Sequence, residues 1–275
     1  MALSRSPALS AVAALALLAM TAGCTTLGDL AGGPDADPLA AAESQEWREI
    51  MTIANTTRGN GDLPMAAALY DRAHKANPEA AEPLLALGET LWDMGGARDS
   101  LQAFRAAVAR APLSGQAHRG MGRALVALDQ PLEAAEEFRT ALRIDPSDAE
   151  AYNGLGVARD MAGDHADAQF QYRRGLALAP DDLNLLNNLG FSYALAGDYG
   201  QAIAILEDVT EDPQATARHR QNLALVYGLA GDDEAAARMS ALDYDPGTVE
   251  RNLAYYEWAR NQIDAAPPVT VSPAS

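Results

Sequence analysis

Residues Ala149 to Pro180 read AEAYNGLGVARDMAGDHADAQFQYRRGLALAP, and their spacing encodes two helices and a turn. Tyr152, Leu155 and Gly156 fall on one face of a first helix, Gly163-Asp164 interrupts it, Ala168, Tyr172 and Leu176 start a second, and Pro180 closes the unit. A shift of 34 residues in either direction finds the template again: at Leu84, Leu87, Gly88, Phe104 and Pro112, at Met121, Gly122, Ala134, Phe138 and Pro146, and at Leu186, Leu189, Gly190, Tyr193 and Ala202. A fixed period of this length marks stacked helical repeats, each of which buries its apolar face only against its neighbours. The expected fold class is therefore all-α, an α-α superhelical solenoid of about six units.

Composition agrees. Hydrophobic residues make up 48% of the chain but aromatics only 6%, so the core must be a sum of many small contacts across many interfaces. The net charge of −18 disfavours nucleic acid as a partner, because such a surface repels phosphate backbones. Nearly all the cations are Arg, with Lys75 the single lysine. One cysteine, Cys24, leaves no intramolecular disulfide and no metal site of paired thiolates.

The N-terminus carries its own signal. Residues 1–23 combine a basic start at Arg5, an apolar run from Ala8 to Ala22 and small residues before Cys24, the layout of a secretory signal peptide. Thr21-Ala22-Gly23-Cys24 resembles the lipobox of bacterial lipoproteins, although Thr21 stands where Leu is usual. The resemblance implies that Cys24 is lipid-modified and becomes the first mature residue; ordinary cleavage leaving a free thiol is the alternative. Under the enterobacterial sorting rule Thr25, in place of Asp, directs the protein to the outer membrane, lipid-anchored and facing the periplasm. Residues 24–46 are expected to form a flexible tether, beginning with the Gly-, Pro- and Asp-rich TTLGDLAGGPDADP. About fourteen such residues reach about 20 Å.

The solenoid is expected over residues 47–264. Its first unit places Ile50, Ile53, Ala54, Ala66, Tyr70, Ala73 and Pro78 on the template, with the turn at Arg58 to Pro64. Gly88, Gly122, Gly156 and Gly190 recur at the eighth position of their units, where Ser100, Ala134, Ala168 and Ala202 of the second helix are expected to pack. Pro112, Pro146 and Pro180 end second helices. The sixth unit, from Ala217, loses the pattern, with Arg220 and Ser240 where apolar residues are expected. A helix from Thr248 to about Ala265, with Val249, Leu253, Tyr256 and Ile263 on one stripe, should cap the array, and residues 265–275 should be disordered.

The W-x2-L-G-x2-Y…A-x3-F…P pattern resembles the tetratricopeptide repeat (TPR), over roughly residues 47 to 250, though Leu84, His118, Tyr152 and Leu186 replace its Trp and Arg159 its Tyr. Within that group, a lipobox, about six repeats and the ending ARHRQNLALVYGLAGD…VERNLAYYEWAR look like the TadD-type lipoproteins of tight-adherence (Flp) pilus assembly. The repeat resemblance implies a concave groove lined by set positions of each first helix. Here these are Arg119 and Arg123, Asn153 and Val157, Asn184, Asn187 and Phe191, and Arg218, Gln221 and Leu225. The amides suit the backbone of an extended peptide, with Val157, Phe191 and Leu225 as apolar contacts between them.

Catalytic patterns are weak. Gly120-x-Gly122 and Gly154-x-Gly156 lie inside first helices and follow no strand, and Gly190-Phe191-Ser192 is explained by the repeat register. His74, His118, His165 and His219 sit in separate units. The sequence thus points to a non-enzymatic scaffold without metal or cofactor, binding protein or peptide partners of a pilus or secretion machine and touching the membrane through its lipid anchor. An envelope adaptor presenting substrates to a protease or cell-wall hydrolase is the other reading.

Overall fold

The computed structural model of the protein describes residues 38–265, with side chains at residues 45–263. Thirteen α-helices and no strands occur among the described residues. They are α1 (Pro38–Gly59), α2 (Leu63–Ala76), α3 (Glu82–Asp93), α4 (Ala97–Arg110), α5 (Gly115–Ala127), α6 (Pro131–Ile144), α7 (Ala149–Met161), α8 (His165–Leu178), α9 (Leu183–Leu195), α10 (Tyr199–Glu211), α11 (Ala217–Ala230), α12 (Asp233–Ser240) and α13 (Pro246–Ala265). Each helix packs on the next, and the first helices of successive units also touch from α3 through α11, so that they line one side of the superhelix. The single helix α13 covers both α11 and α12.

The first helices stop for a local reason that repeats. Gly61, Gly95, Gly163, Gly197 and Gly231 have φ between +80° and +88°, the left-handed cap that glycine adopts without a Cβ penalty. In the third unit the same position is Asp129, the one non-glycine residue with positive φ among the described residues (57°). Asp tolerates this region better than most residues but still bears strain. Asp129→Gly is expected to stabilise the protein by about 0.5–1 kcal/mol, the relief of strain outweighing the added freedom of the unfolded chain. A urea titration showing no gain would refute this.

Four second helices, α2, α8, α10 and α12, and two first helices, α7 and α9, start on carboxylates. Asp62, Asp148, Asp164, Asp182, Asp198 and Asp232 are N-caps, each accepting backbone N–H groups at 2.8–3.2 Å. Each such cap contributes about 1 kcal/mol. Part of the acidic surplus therefore holds helices together.

The packing of the glycines differs from expectation. A Cβ on Gly88, Gly122 or Gly156 would lie 2.4–2.8 Å from the ring of Phe104, Phe138 or Tyr172, and on Gly190 2.8 Å from Leu206. The large residue four positions after Ser100, Ala134, Ala168 or Ala202 fills the space, because it is the longer side chain that crosses to the first helix. The small residue has a different contact: the Ser100 hydroxyl donates to the Gly88 carbonyl at 2.8 Å. A second set of glycines, two positions earlier, completes the slot. A Cβ on Gly120 would meet the Phe104 ring at 2.4 Å, and on Gly154 the Phe138 ring at 2.2 Å. Each phenylalanine thus lies between a glycine of its own unit and one of the next.

The ends also depart from the sequence reading. Residues 38–46, expected in the tether, are helical: Pro38 suits a helix start, and the Ala-rich run after it favours helix. Ile53 is 57% exposed, whereas Trp47, Ile50 and Ala54 are buried. The capping helix begins at Pro246 and buries Tyr256 against Gly228, with Val249 and Leu253 half-buried, but Ile263 is exposed. Arg220 is paired with Asp243, its Nε and Nη2 donating at 2.9 and 2.5 Å, so an ion pair replaces the usual apolar contact. The expected signal peptide, Cys24, the start of the expected tether and the tail after Ala265 lie outside the described residues.

Candidate functional site

The first helices α3, α5, α7, α9 and α11 line an open cavity of about 440 Å³. One half is apolar, formed by Trp92, Val126 and Val157 over the Phe138 ring, which lies 1% exposed beneath this surface beside Gly154. The absence of a side chain at Gly154 therefore admits both the ring and any ligand above it. The other half is polar, formed by Asn153, Asn184, Asn187, Asn188, Arg218 and His219.

The asparagines form a ladder. Asn222 Nδ2 donates to Asn187 Oδ1 at 3.0 Å, Asn187 Nδ2 to Asn188 Oδ1 at 3.3 Å, and Asn188 Nδ2 to Asn153 Oδ1 at 2.9 Å. Asn187 is only 3% exposed, so its amide stiffens the ladder rather than waiting for a partner. Asn188 and Asn222, which are not among the expected groove residues, belong to this ladder. An offset of 35 residues between Asn153 and Asn188, and again between Asn187 and Asn222, was the signal in the sequence.

Charge at the rim is mostly compensated. Arg123 pairs with Glu89 at 2.5 Å and lies 5.1 Å over the Trp92 ring, Glu150 meets Arg119 at 3.3 Å, and the Asp182 carboxylate caps α9. Arg218 is exposed and has no carboxylate partner among the described residues, so its guanidinium is open to a ligand at the polar half. Burial, with Arg218 and Arg220 nearby, holds His219 below the ordinary imidazole value. Its Nδ1 accepts the Thr216 N–H at 3.3 Å, as a neutral ring does.

Of the ten groove residues expected, the cavity brings together Arg123, Asn153, Val157, Asn184, Asn187 and Arg218. Arg119 is turned to Asp148 and Glu150, Phe191 packs on the core around Leu206 and Leu223, and Gln221 and Leu225 are half-buried outside the cavity lining. Sequence reasoning missed Trp92, Val126 and Phe138.

Ser192 is fully buried and donates to Asp160 at 2.7 Å, an arrangement that occupies the hydroxyl instead of activating it. Asp160 also accepts from Tyr172 at 3.0 Å and pairs with His165 at 2.8 Å. Burial, reinforced by Asp160, pushes the Tyr172 phenol far above its usual range. This cluster ties the fourth unit to the fifth.

Residues 85–149, 119–182 and 161–216 match the sequence profile of the tetratricopeptide repeat. The fold is a TPR solenoid. Among solved structures it is similar to MamA, at 26% identity and a TM-score of 0.55, covering 61% of this chain and 92% of that one. It is similar in fold to PilW, described as a widely conserved type IV pilus biogenesis factor, at 21% identity and a TM-score of 0.66 over 80% of this chain and 99% of that one. PilF of Pseudomonas aeruginosa shares 14% identity with a TM-score of 0.61, covering 82% and 99%. A comparison with the curated proteins gave no match. TPR solenoids bind protein partners, and the cavity across five first helices is where this one offers both apolar and polar contacts.

Proposed function

We propose that the protein is a non-enzymatic, lipid-anchored scaffold of the outer membrane that captures a protein segment in its concave cavity during assembly of a tight-adherence pilus. The cavity carries this reading. Its apolar half receives a bulky side chain against Trp92, Val126 and Val157, and Arg218 beside the asparagine ladder donates to a carboxylate or backbone carbonyls of the same segment. The likeness in fold to a type IV pilus biogenesis factor and the lipobox-like sequence before Cys24 support the setting.

In the source bacterium, deletion of the gene is expected to abolish surface pili, and the wild-type gene to restore them. Val157→Arg with Arg218→Glu should accumulate normally yet fail to restore pili, and crosslinking from the intact envelope should lose the partner seen with wild type. Cys24→Ala should move the protein to the soluble periplasm. Normal piliation by the deletion strain, or full complementation by the cavity variant, would overturn the proposal.

A further inference from the structure

The second helices carry a site of opposite character on the other face. Residues 104–110, 138–144 and 172–178, the C-terminal halves of α4, α6 and α8, hold Arg105, Arg110, Arg139, Arg143, Arg173 and Arg174 and no Asp or Glu. In a chain of net charge −18 this is a local reversal of sign. It ends abruptly: the same stretch of α10 and its cap holds Glu207, Asp208, Glu211 and Asp212 and no Arg. Cations near helix C-termini complement the macrodipole. That accounts for Arg110 and Arg143 in the last turns, but not for the rest of the belt or for the acidic end of α10.

Within the belt lies a groove of about 520 Å³ between α6 and α8, lined by Arg139, Leu142, Arg143, Pro146, Tyr152, Leu155, Gln171 and Arg174, with no carboxylate among its lining residues. Arg139 is paired with Glu136 at 2.5 Å. The other two guanidiniums have no carboxylate partner among the described residues: Arg143 donates to Thr140 Oγ1 at 2.7 Å, and Arg174 lies 4.6 Å over the Tyr152 ring, which braces it in place. The nearby loop carboxylates are turned elsewhere, Asp145 to Ser147 and Asp148 to Arg119 and the start of α7.

We propose that this groove is a second docking site, for an acidic segment of a partner protein whose carboxylates pair with Arg143 and Arg174 and whose apolar side chain lies on Leu142 and Pro146. Guanidinium forks match carboxylates bidentately. The hollow shape and apolar wall suit a side chain, whereas a lipid surface would meet the outermost arginines and leave the groove unfilled. Because the groove shares no lining residue with the concave cavity, both sites can be filled at once, and the scaffold can bridge two partners. The inference does not depend on what the concave cavity binds.

The test uses the purified full chain and a fluorescein-labelled peptide of sequence EELEELEE, with its glutamine analogue as control, followed by fluorescence anisotropy. Saturable binding that weakens with salt is expected for the acidic peptide, with affinity at least tenfold lower for Arg143→Glu with Arg174→Glu. The milder pair Arg143→Gln with Arg174→Gln should lose most of it as well, with unchanged helical circular dichroism. Equal binding of the glutamine analogue, or survival of binding in both double variants, would overturn the site. So would its loss in Arg218→Glu alone, which moves the carboxylates to the concave cavity. Recruitment of phosphatidylglycerol vesicles through Arg143 and Arg174 without binding of the peptide would also overturn it, in favour of a headgroup surface.

Discussion

Phe138→Ala is expected to remove about 3–5 kcal/mol of stability and to split the unfolding of the solenoid in two. The ring is 1% exposed and lies at the centre of the largest core cluster, which runs from Leu101 through Phe104, Met121 and Leu125 to Leu155 and Ala158. Truncation leaves a void that Gly122 and Gly154 on either side cannot fill, since neither has a side chain to move. In a stacked array each unit is held only by its neighbours, so a weakened interface at the middle uncouples the two ends. The three tryptophans report on opposite ends, Trp47 and Trp92 on one and Trp258 on the other. In a variant also carrying Trp47→Phe and Trp92→Phe, the urea transition seen by Trp258 should separate from that seen by circular dichroism, and in the parent with Phe138 the two should run closer together. A loss below about 1 kcal/mol, with the two probes still together, would show that the site collapses around the void.

The period of the repeat was legible in the sequence because it is carried by spacing, and spacing survives substitution. It located the turns, the glycines and the cap. What fills the space beside each glycine was not legible. Residues four apart on the second helix, such as Ala134 and Phe138, share a face, and only the crossing of the two helices decides which one reaches Gly122. The ion pair of Arg220 and Asp243 shows the same limit from another side. Arg220 stood out as a break in the apolar pattern, but its partner is 23 residues away in a unit whose second helix is short, and the template there had already failed.

The concave site was half legible. The repeat positions identified Arg123, Asn153, Val157, Asn184, Asn187 and Arg218, since every first helix presents the same face inward. They could not show that the asparagines bond to one another, which depends on side-chain reach between units. Nor could they show that a second-helix ring, Phe138, lies beneath this cavity against α7, which depends on Gly154 having no Cβ. The arginine groove was illegible for a further reason: its residues come from α6, α7 and α8, and no single unit contains them.

Gly154→Asn should be as damaging as the loss of the ring, and the reason it fails identifies what the ladder requires. Glycine and asparagine occupy the same register in successive units: Gly120, Gly154, Asn188 and Asn222. Asparagine is no worse than glycine in a helix, so intrinsic propensity does not oppose the change. The obstacle is the ring, since the new Cβ would stand 2.2 Å from Phe138. Where the ladder exists, the residue at the corresponding place is Leu206 opposite Asn222, or Tyr172, held by its hydroxyl to Asp160, opposite Asn188. Gly154→Asn is therefore expected to cost about 3 kcal/mol or more by overpacking. Combined with Phe138→Leu, whose own cost is a cavity of moderate size, it should recover most of that loss, giving a coupling energy of about 1–3 kcal/mol in a double-mutant cycle. The double variant would place a further amide beside Asn153 at the N-terminal end of the ladder, and would replace the ring beneath the cavity by an aliphatic side chain. It should keep its fold and lose ligands that depend on the apolar half. Additive losses in the cycle would mean that the ring and the glycine do not share the slot, and that the change from glycine to asparagine along the array has another cause.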